Sequence, residues 1–250
     1  MIQADQPTIL PSNVRAIVSS IADGSVKYGV DEPDEVVASN LERLARRLDL
    51  GKNQVAGILI TYAPDRTYNV IAETNAANID ITDKSTWITC DALVTTQKNV
   101  GLLIPIADCN GVVVFDPEHD VLALAHIGWQ AAAANLAEEL IAYLVKNHGS
   151  DPAKLIAYIS PSIRKESYYN DSPAQLSNPR WAGYIEKSDK GYHMDVFGFT
   201  RDQLISSGLK IDNVEFSDVD VAASDDYYSH FQAKQNDQQA GRYAVLCVMK

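Results

Sequence analysis

The sequence predicts a layered α/β fold of the α+β kind, in which mixed β-sheets pack against helices within one domain covering residues 1–250. Helical and strand-like segments interleave without strict alternation, which favours mixed sheets. Several strand-like segments are almost wholly apolar, as is typical of strands covered on both faces. No internal repeat or linker rich in Pro, Gly and Ser divides the 250 residues, and that length suits one large domain.

The first third of the chain predicts one helix and two strands. Apolar residues three or four apart predict a helix from Asp34 to Leu48, with Gly51 just beyond its end. β-Branched and aromatic residues predict strands at Gly57–Tyr62 and Tyr68–Ala72. The polar stretch Glu73–Ser85 lacks either period and predicts a loop.

Four strand-like segments follow in quick succession, of which the last three are nearly all apolar. They are Trp87–Thr95, Gly101–Ile106, Gly111–Phe115 and Val121–Ala125. The clearest helix, Ala131–Lys146, comes next and ends before a glycine suited to a left-handed cap.

The remaining elements are more widely spaced. They are a buried strand at Leu155–Ile159, a long loop of the site-lining kind at Ser160–Gly191, a helix capped by Asp195 and ending near Ser207, and strands at Ile211–Phe216 and Tyr243–Met249.

Composition limits the classes of partner. With 33 acidic and 21 basic residues the net charge is −12, which disfavours nucleic acid and anionic membranes but leaves room for a local site for one small anion. An odd count of three cysteines disfavours a disulfide framework. The start of the chain has no apolar run of the secretory kind, and no stretch approaches the roughly 20 apolar residues of a membrane span. We therefore expect a cytoplasmic protein with no membrane partner.

A predicted hairpin brings a cysteine and a histidine together. If Asp116–His119 forms the turn, Phe115 faces Asp120 and Cys109 faces His126. Directly opposed side chains lie about 4.5–5.5 Å apart at Cβ, close enough to share one metal ion or one proton. A bulge next to Cys109 would change this register.

The start of the predicted helix at Ala131 should point toward the same pair. A helix start attracts anions and lowers the pKa of a nearby thiol. The spacing is equally compatible with purely structural roles, in which Cys109 is buried for packing and His126 forms a structural hydrogen bond. Asp108 either orients a ligand or only ends the strand.

Three motifs carry a resemblance to a known family. They are Cys90–Thr95 (CDALVT), Ala107–Cys109 (ADC) and Ala125–Trp129 (AHIGW), with weaker matches at Gly191–Asp195 and Gln239–Arg242. Together they resemble the YfiH-like multicopper polyphenol oxidoreductases, also called laccase-domain proteins. The resemblance implies a purine nucleoside phosphorylase that also deaminates adenosine, with purine nucleoside and phosphate as small-molecule partners.

The resemblance also implies a metal site, zinc or possibly copper, with Cys109 and His126 as catalytic residues and as two of its three ligands. The family's upstream histidine lies in a stretch that corresponds here to Gln54–Gly57, where Ala56 takes its place. The implied ligand set is therefore incomplete.

Three further residues are expected to bind substrate: Gln130, Arg242 and Asp108. Gln130 stands where the family commonly has arginine, and a neutral amide does not hold phosphate bidentately. Arg242 is a candidate cation for the phosphate, or else a surface arginine beside the last strand.

Three functions follow as hypotheses. The first is a metal-dependent purine nucleoside phosphorylase or adenosine deaminase. The second is a catalytically impaired relative that binds a nucleoside or a partner protein, and the third is a metal-free hydrolase in which His126 activates Cys109. Four-copper laccase chemistry is excluded, because it needs on the order of ten histidines and the chain has 5.

Overall fold

The structure is a computed structural model that describes residues 1–30, 32–63 and 66–250. The α-helices in this part of the chain are α1 (Asp34–Arg47), α2 (Trp129–Ala133), α3 (Leu136–His148), α4 (Val196–Ser206) and α5 (His230–Gln235). The strands are β1 (Val14–Val18), β2 (Val55–Leu59), β3 (Ile71–Glu73), β4 (Ile88–Thr89), β5 (Ala92–Thr95), β6 (Gly101–Ile106), β7 (Asn110–Asp116), β8 (Val121–Ile127), β9 (Ile156–Ile159), β10 (Tyr169–Asn170), β11 (Ile185–Ser188), β12 (Gly191–Met194), β13 (Val214–Phe216) and β14 (Tyr243–Met249).

Two large mixed sheets form the centre of the molecule. One has six strands in the order β13-β9-β7-β8-β5-β3, and the other has five in the order β1-β14-β6-β2-β4. In the six-stranded sheet β9 pairs with β13 and β3 with β5 in parallel, while the pairings of β7 and β8 are antiparallel. The predicted mixed-sheet α+β class is confirmed.

Side-chain alternation along β8 divides the core into layers. Ala123 and Ala125 pack with α3, whereas Leu122 and Leu124 pack with apolar residues of β6 and β14 in the layer between the sheets. On the outer face of the five-stranded sheet, α1 contributes a third cluster. The order of layers is therefore helix, sheet, sheet, helices, and His126 continues the even-numbered series that points between the sheets.

The predicted register of the β7–β8 hairpin is wrong by two residues. Asp116 still belongs to β7 and pairs with Val121, so His126 faces Gly111 instead of Cys109. The Asp116 carboxylate accepts a hydrogen bond from the Glu118 N–H at 2.8 Å, which moves the turn one residue along the chain. Because side chains alternate with a period of two, a shift of two leaves Cys109 and His126 on one face.

The predicted helix Ala131–Lys146 is two helices, α2 and α3. The break lies at Asn135, whose φ of 61° is left-handed. As a result the helix that begins beside His126 is only 5 residues long. None of the helices in the described ranges is long and apolar enough to cross a membrane.

Several further predictions change in the structure. The predicted strands Gly57–Tyr62, Tyr68–Ala72 and Ile211–Phe216 correspond to β2, β3 and β13, whose bounds differ. The segment Trp87–Thr95 divides into β4 and β5 because the carboxylate of Asp91, fully buried, turns inward to Arg66 (2.9 Å) and to the Val70 N–H (3.0 Å). The predicted loop Ser160–Gly191 contains two strands of a small sheet, ordered β10-β12-β11. The helix capped by Asp195 and the strand Tyr243–Met249 are confirmed.

Candidate functional site

A cavity of about 870 Å³ opens where β7 begins and β8 ends. Its wall includes all five residues that the sequence singled out: Asp108, Cys109, His126, Gln130 and Arg242. The size falls within the range of about 300–1,000 Å³ that is usual for small-molecule sites.

Cys109 and His126 meet at Gly128. A Cβ atom on Gly128 would lie 2.9 Å from the Cys109 Sγ and 3.7 Å from the Cε1 of His126. The missing side chain therefore leaves the space that both groups border. The register differs from the predicted one by two residues, but the Cys109 thiol and the His126 imidazole remain adjacent, because the chain turns at Gly128 into α2.

Both groups are uncharged near neutral pH. Burial raises the pKa of the Cys109 thiol to about 12; nearby Asp108 adds to the rise, and Arg242 opposes it. Burial lowers the pKa of His126 to about 4, and Arg242 and Arg66 lower it further. The expectation of a lowered thiol pKa is wrong, because desolvation outweighs any stabilisation of the thiolate.

Asp108 lies in the cavity wall, but both of its carboxylate oxygens already accept hydrogen bonds. Ser229 Oγ donates to Oδ1 at 2.6 Å and the Phe231 N–H donates to Oδ2 at 2.7 Å. Burial raises the pKa of Asp108, while these donors and Arg242 oppose the rise. The Asp108 carboxylate therefore hydrogen-bonds to residues at the start of α5.

Arg242 provides the central positive charge of the site. Its Nη1 donates to the carbonyls of Ala240 and Gly241, each at 2.8 Å, which fixes the guanidinium at the start of β14. Its charge influences the pKa of Asp108, Cys109 and His126. No carboxylate of the described residues lies within ion-pair distance of it, so the charge remains to attract an anion.

The cavity wall is cationic although the chain is acidic. Its charged groups are Lys27, Lys84, Lys234, Arg242, Asp108 and Asp171. Four cations against two carboxylates contrast with a net charge of −12 for the whole chain. Gln130, on the first turn of α2, adds a neutral amide to this wall. Such a local excess of positive charge raises the concentration of anionic ligands.

Comparison with known proteins assigns the family. The family model of the multi-copper polyphenol oxidoreductase laccases matches residues 18–250. The chain belongs to this family.

Named relatives within the laccase family include purine nucleoside phosphorylases. The chain is 26% identical over 168 residues to purine nucleoside phosphorylase YlmD of Bacillus subtilis (strain 168), covering 64% of this chain and 59% of that protein. It is 28% identical over 160 residues to a purine nucleoside phosphorylase of Bacteroides thetaiotaomicron, covering 61% and 58%. The chain thus spans about three fifths of the length of these curated relatives.

A solved structure supports the fold. The structure of YlmD from Geobacillus stearothermophilus aligns with a TM-score of 0.84 at 19% identity, covering 96% of this chain and 93% of that one. Nearly the whole chain therefore has the same fold as that structure.

The family name refers to copper. Whether this chain fits a metal ion depends on the side chains that could serve as ligands. Ala56 is fully buried in the layer between the sheets and does not line the cavity. Instead, Ile58 of β2 and residues that follow it, including Tyr62, line the cavity. His193, another histidine that could complete a ligand set, does not line the cavity, and its Nδ1 lies 2.8 Å from the Lys165 carbonyl.

Within residues 1–30, 32–63 and 66–250, no three His, Cys, Asp or Glu side chains form a metal-binding group. Catalytic zinc sites use three protein ligands, so the described residues do not fit a catalytic zinc ion.

Two aromatic residues of the cavity, Tyr168 and Tyr169, were not singled out in the sequence. Tyr168 and Tyr169 come from the loop that was expected to line a site, and Phe231 follows His230 in an aromatic stretch. The Phe231 ring meets Tyr168 and Tyr169 edge-on, with centroids 5.5 and 5.1 Å apart. The tyrosine-rich composition of these segments was the available signal, but their meeting depends on the tertiary fold.

Proposed function

We propose that this chain is a purine nucleoside phosphorylase that works without a metal ion held by its described residues. The observation that carries the proposal is Arg242, a cation with no described carboxylate partner that lines one cavity with Cys109 and His126. The names of the relatives support the same reaction class.

Phosphorolysis requires few protein groups. Phosphate attacks C1′ of the ribose, the new C1′–O bond forms, and the C1′–N9 bond breaks, with its electron pair passing to the purine. The purine takes up a proton, which balances the hydroxyl proton that the phosphate loses when it becomes an ester. The planar guanidinium of Arg242 suits a phosphate oxygen pair, and the cationic wall stabilises the anion during attack.

The remaining groups suit the nucleoside. Phe231, Tyr168 and Tyr169 offer apolar ring surface to a purine. His126, neutral because its pKa is about 4, offers one N–H donor and one acceptor nitrogen to a nucleoside hydroxyl or ring nitrogen. The protonated thiol of Cys109 contributes a compact, weakly polar surface beside it.

The competing hydrolase hypothesis needs a thiolate. With the pKa of Cys109 raised to about 12, the thiolate fraction at neutral pH is very small. Adenosine deamination needs an activated water, and the described residues do not supply the metal ligands for one. Phosphorolysis is therefore the reaction that this site supports best.

The test supplies adenosine, inosine and guanosine to the purified protein with and without inorganic phosphate. We expect free purine and ribose 1-phosphate only when phosphate is present, at a rate that EDTA does not change. His126→Asn should lower kcat/KM at least tenfold, whereas the core variant Cys90→Ala should retain it.

Ammonia release that needs no phosphate would assign deamination instead. Binding of a nucleoside with no turnover would assign the chain to the catalytically impaired relatives.

A further inference from the structure

The Asp108 carboxylate joins the cavity wall to α5. Asp108 precedes Cys109, and it accepts hydrogen bonds from Ser229 Oγ at 2.6 Å and from the Phe231 N–H at 2.7 Å. Ser229 is also the N-cap of α5, because its Oγ accepts from the Gln232 N–H at 3.1 Å. Asp108 therefore holds both the cap and the first turn of this helix.

Little else in α5 resists its movement. The helix has 6 residues, none of which is buried, and helices this short have little stability of their own. Segments with few buried contacts open at low free-energy cost. The other holds on this helix come from Phe231, which packs against the apolar layer between the sheets and meets Tyr168 and Tyr169 edge-on.

The position of α5 matters because the helix forms part of the cavity wall. His230, Phe231, Lys234 and Gln235 all line the cavity. A movement of α5 would carry an aromatic ring, a cation and a histidine away from the ligand together.

The backbone at Asp108 is arranged for this contact. Its φ of 76° is left-handed, which is costly for a residue with a side chain. The Asp108 carbonyl accepts from the Ile163 N–H at 2.8 Å and helps to hold that conformation. The turn aims the carboxylate at α5 while the next residue, Cys109, borders the cavity beside Gly128.

We propose that Asp108 is a positioning residue that latches α5 over the cavity and so sets the binding of the substrate. This differs from the direct substrate contact that the sequence suggested, because both carboxylate oxygens are already engaged. The effect on substrate rests on the proposed phosphorylase function, whereas the latch itself does not.

The test uses Asp108→Asn in the full chain. The amide keeps the size of the carboxylate but removes its charge. The Phe231 N–H then keeps only a neutral acceptor, and the Ser229 hydroxyl has to accept from the new NH2 group, so the charge-assisted bonds that hold α5 are lost. We expect the amide hydrogens of Phe231 and Gln232 to exchange about tenfold faster or more. We expect KM for the nucleoside to rise about tenfold while kcat stays within about threefold.

The matched control is Asp195→Asn. Asp195 caps α4 by accepting from the Gly198 N–H at 2.7 Å, and it lies outside the cavity lining. It should leave exchange in α5 and KM unchanged. A second variant, Ser229→Ala, keeps Asp108 and removes one donor, and should shift exchange and KM in the same direction as Asp108→Asn.

Unchanged exchange at Phe231 in both variants would overturn the latch. A fall of kcat by a hundredfold or more at constant KM would also overturn it, since Asp108 would then act on the reacting atoms. If the protein lacks phosphate-dependent turnover, the proposed function fails, and the exchange rates still support or overturn the latch.

Discussion

Cys109 and His126 share the space left by the missing side chain of Gly128. The built Cβ position lies 2.9 Å from the Cys109 Sγ, closer than real Cβ contacts, and 3.7 Å from the His126 ring. The φ of Gly128 is −85°, which any residue adopts, so glycine is required here for space. Cys109 and His126 are therefore adjacent because residue 128 has no side chain.

Gly128→Ala should disturb the site more than the fold. We expect a loss of about 1–3 kcal/mol of unfolding free energy from overpacking. We expect kcat/KM to fall at least tenfold, since a displacement of about 1 Å at a reacting group is enough for that. Steady-state kinetics and urea unfolding measure the two effects. Gly183→Ala, which meets nothing within 4 Å, is the control; equal activity in the two variants would contradict the prediction.

Arg242→Lys should weaken phosphate binding. Lysine keeps the charge but loses the planar fork that binds two phosphate oxygens at once. We expect KM for phosphate to rise about tenfold or more, with KM for the nucleoside changed less. Kinetics with each substrate varied in turn measure this. Arg46→Lys, on the exposed face of α1, should behave as the wild type; a selective rise in the nucleoside KM of the Arg242 variant would assign Arg242 to the nucleoside.

Ala56→His should destabilise the fold and recruit no metal. Residue 56 is fully buried between the sheets, so an imidazole there overpacks an apolar layer and buries unpaired nitrogens. We expect a loss of about 2–5 kcal/mol of unfolding free energy. Ile211→His is the control, because that side chain is 69% exposed and lies outside the cavity lining; it should leave the unfolding free energy unchanged. Metal analysis showing one zinc per Ala56→His chain would contradict our account of the site.

Acid should destabilise the protein partly through His126. The pKa of His126 is about 4 in the folded chain, below its usual value of 6.5. Below pH 6.5 the unfolded chain therefore binds a proton at this residue that the folded chain does not bind. Stability therefore falls between pH 6.5 and pH 4, by about 3 kcal/mol in all.

Urea unfolding at pH 7.5 and 4.5 measures this, and His126→Asn should reduce the difference by about 2–3 kcal/mol. An undiminished difference in His126→Asn would show that other groups titrate.

The Cys109 thiol should react slowly. Because its pKa is about 12, alkylation by iodoacetamide at pH 7 should be slower than that of a free cysteine by about a hundredfold or more. The rate should keep rising up to pH 10 without a plateau near 8. Mass spectrometry with Cys109→Ala as the control identifies the modified residue. Rapid labelling at neutral pH would revive the cysteine hydrolase hypothesis.

Local patterns of the sequence determined much of the fold. The apolar period of α1, the Asp195 cap of α4 and the apolar run of β14 each reflect an interaction between neighbours along the chain, which is why they were predictable. The motifs around Cys109 and His126 likewise identified the part of the chain that forms the cavity.

The tertiary structure decided the rest, because it depends on contacts between distant residues. A side-chain hydrogen bond moved the hairpin turn by one residue, burial set the protonation of Cys109 and His126, and packing placed Ala56 in the core instead of at the site. The bond from Asp108 to residues more than a hundred positions away follows from no local pattern. The sequence by itself determined which side chains are available for chemistry, and the fold decided which of them are charged, which are engaged and which remain to meet a ligand.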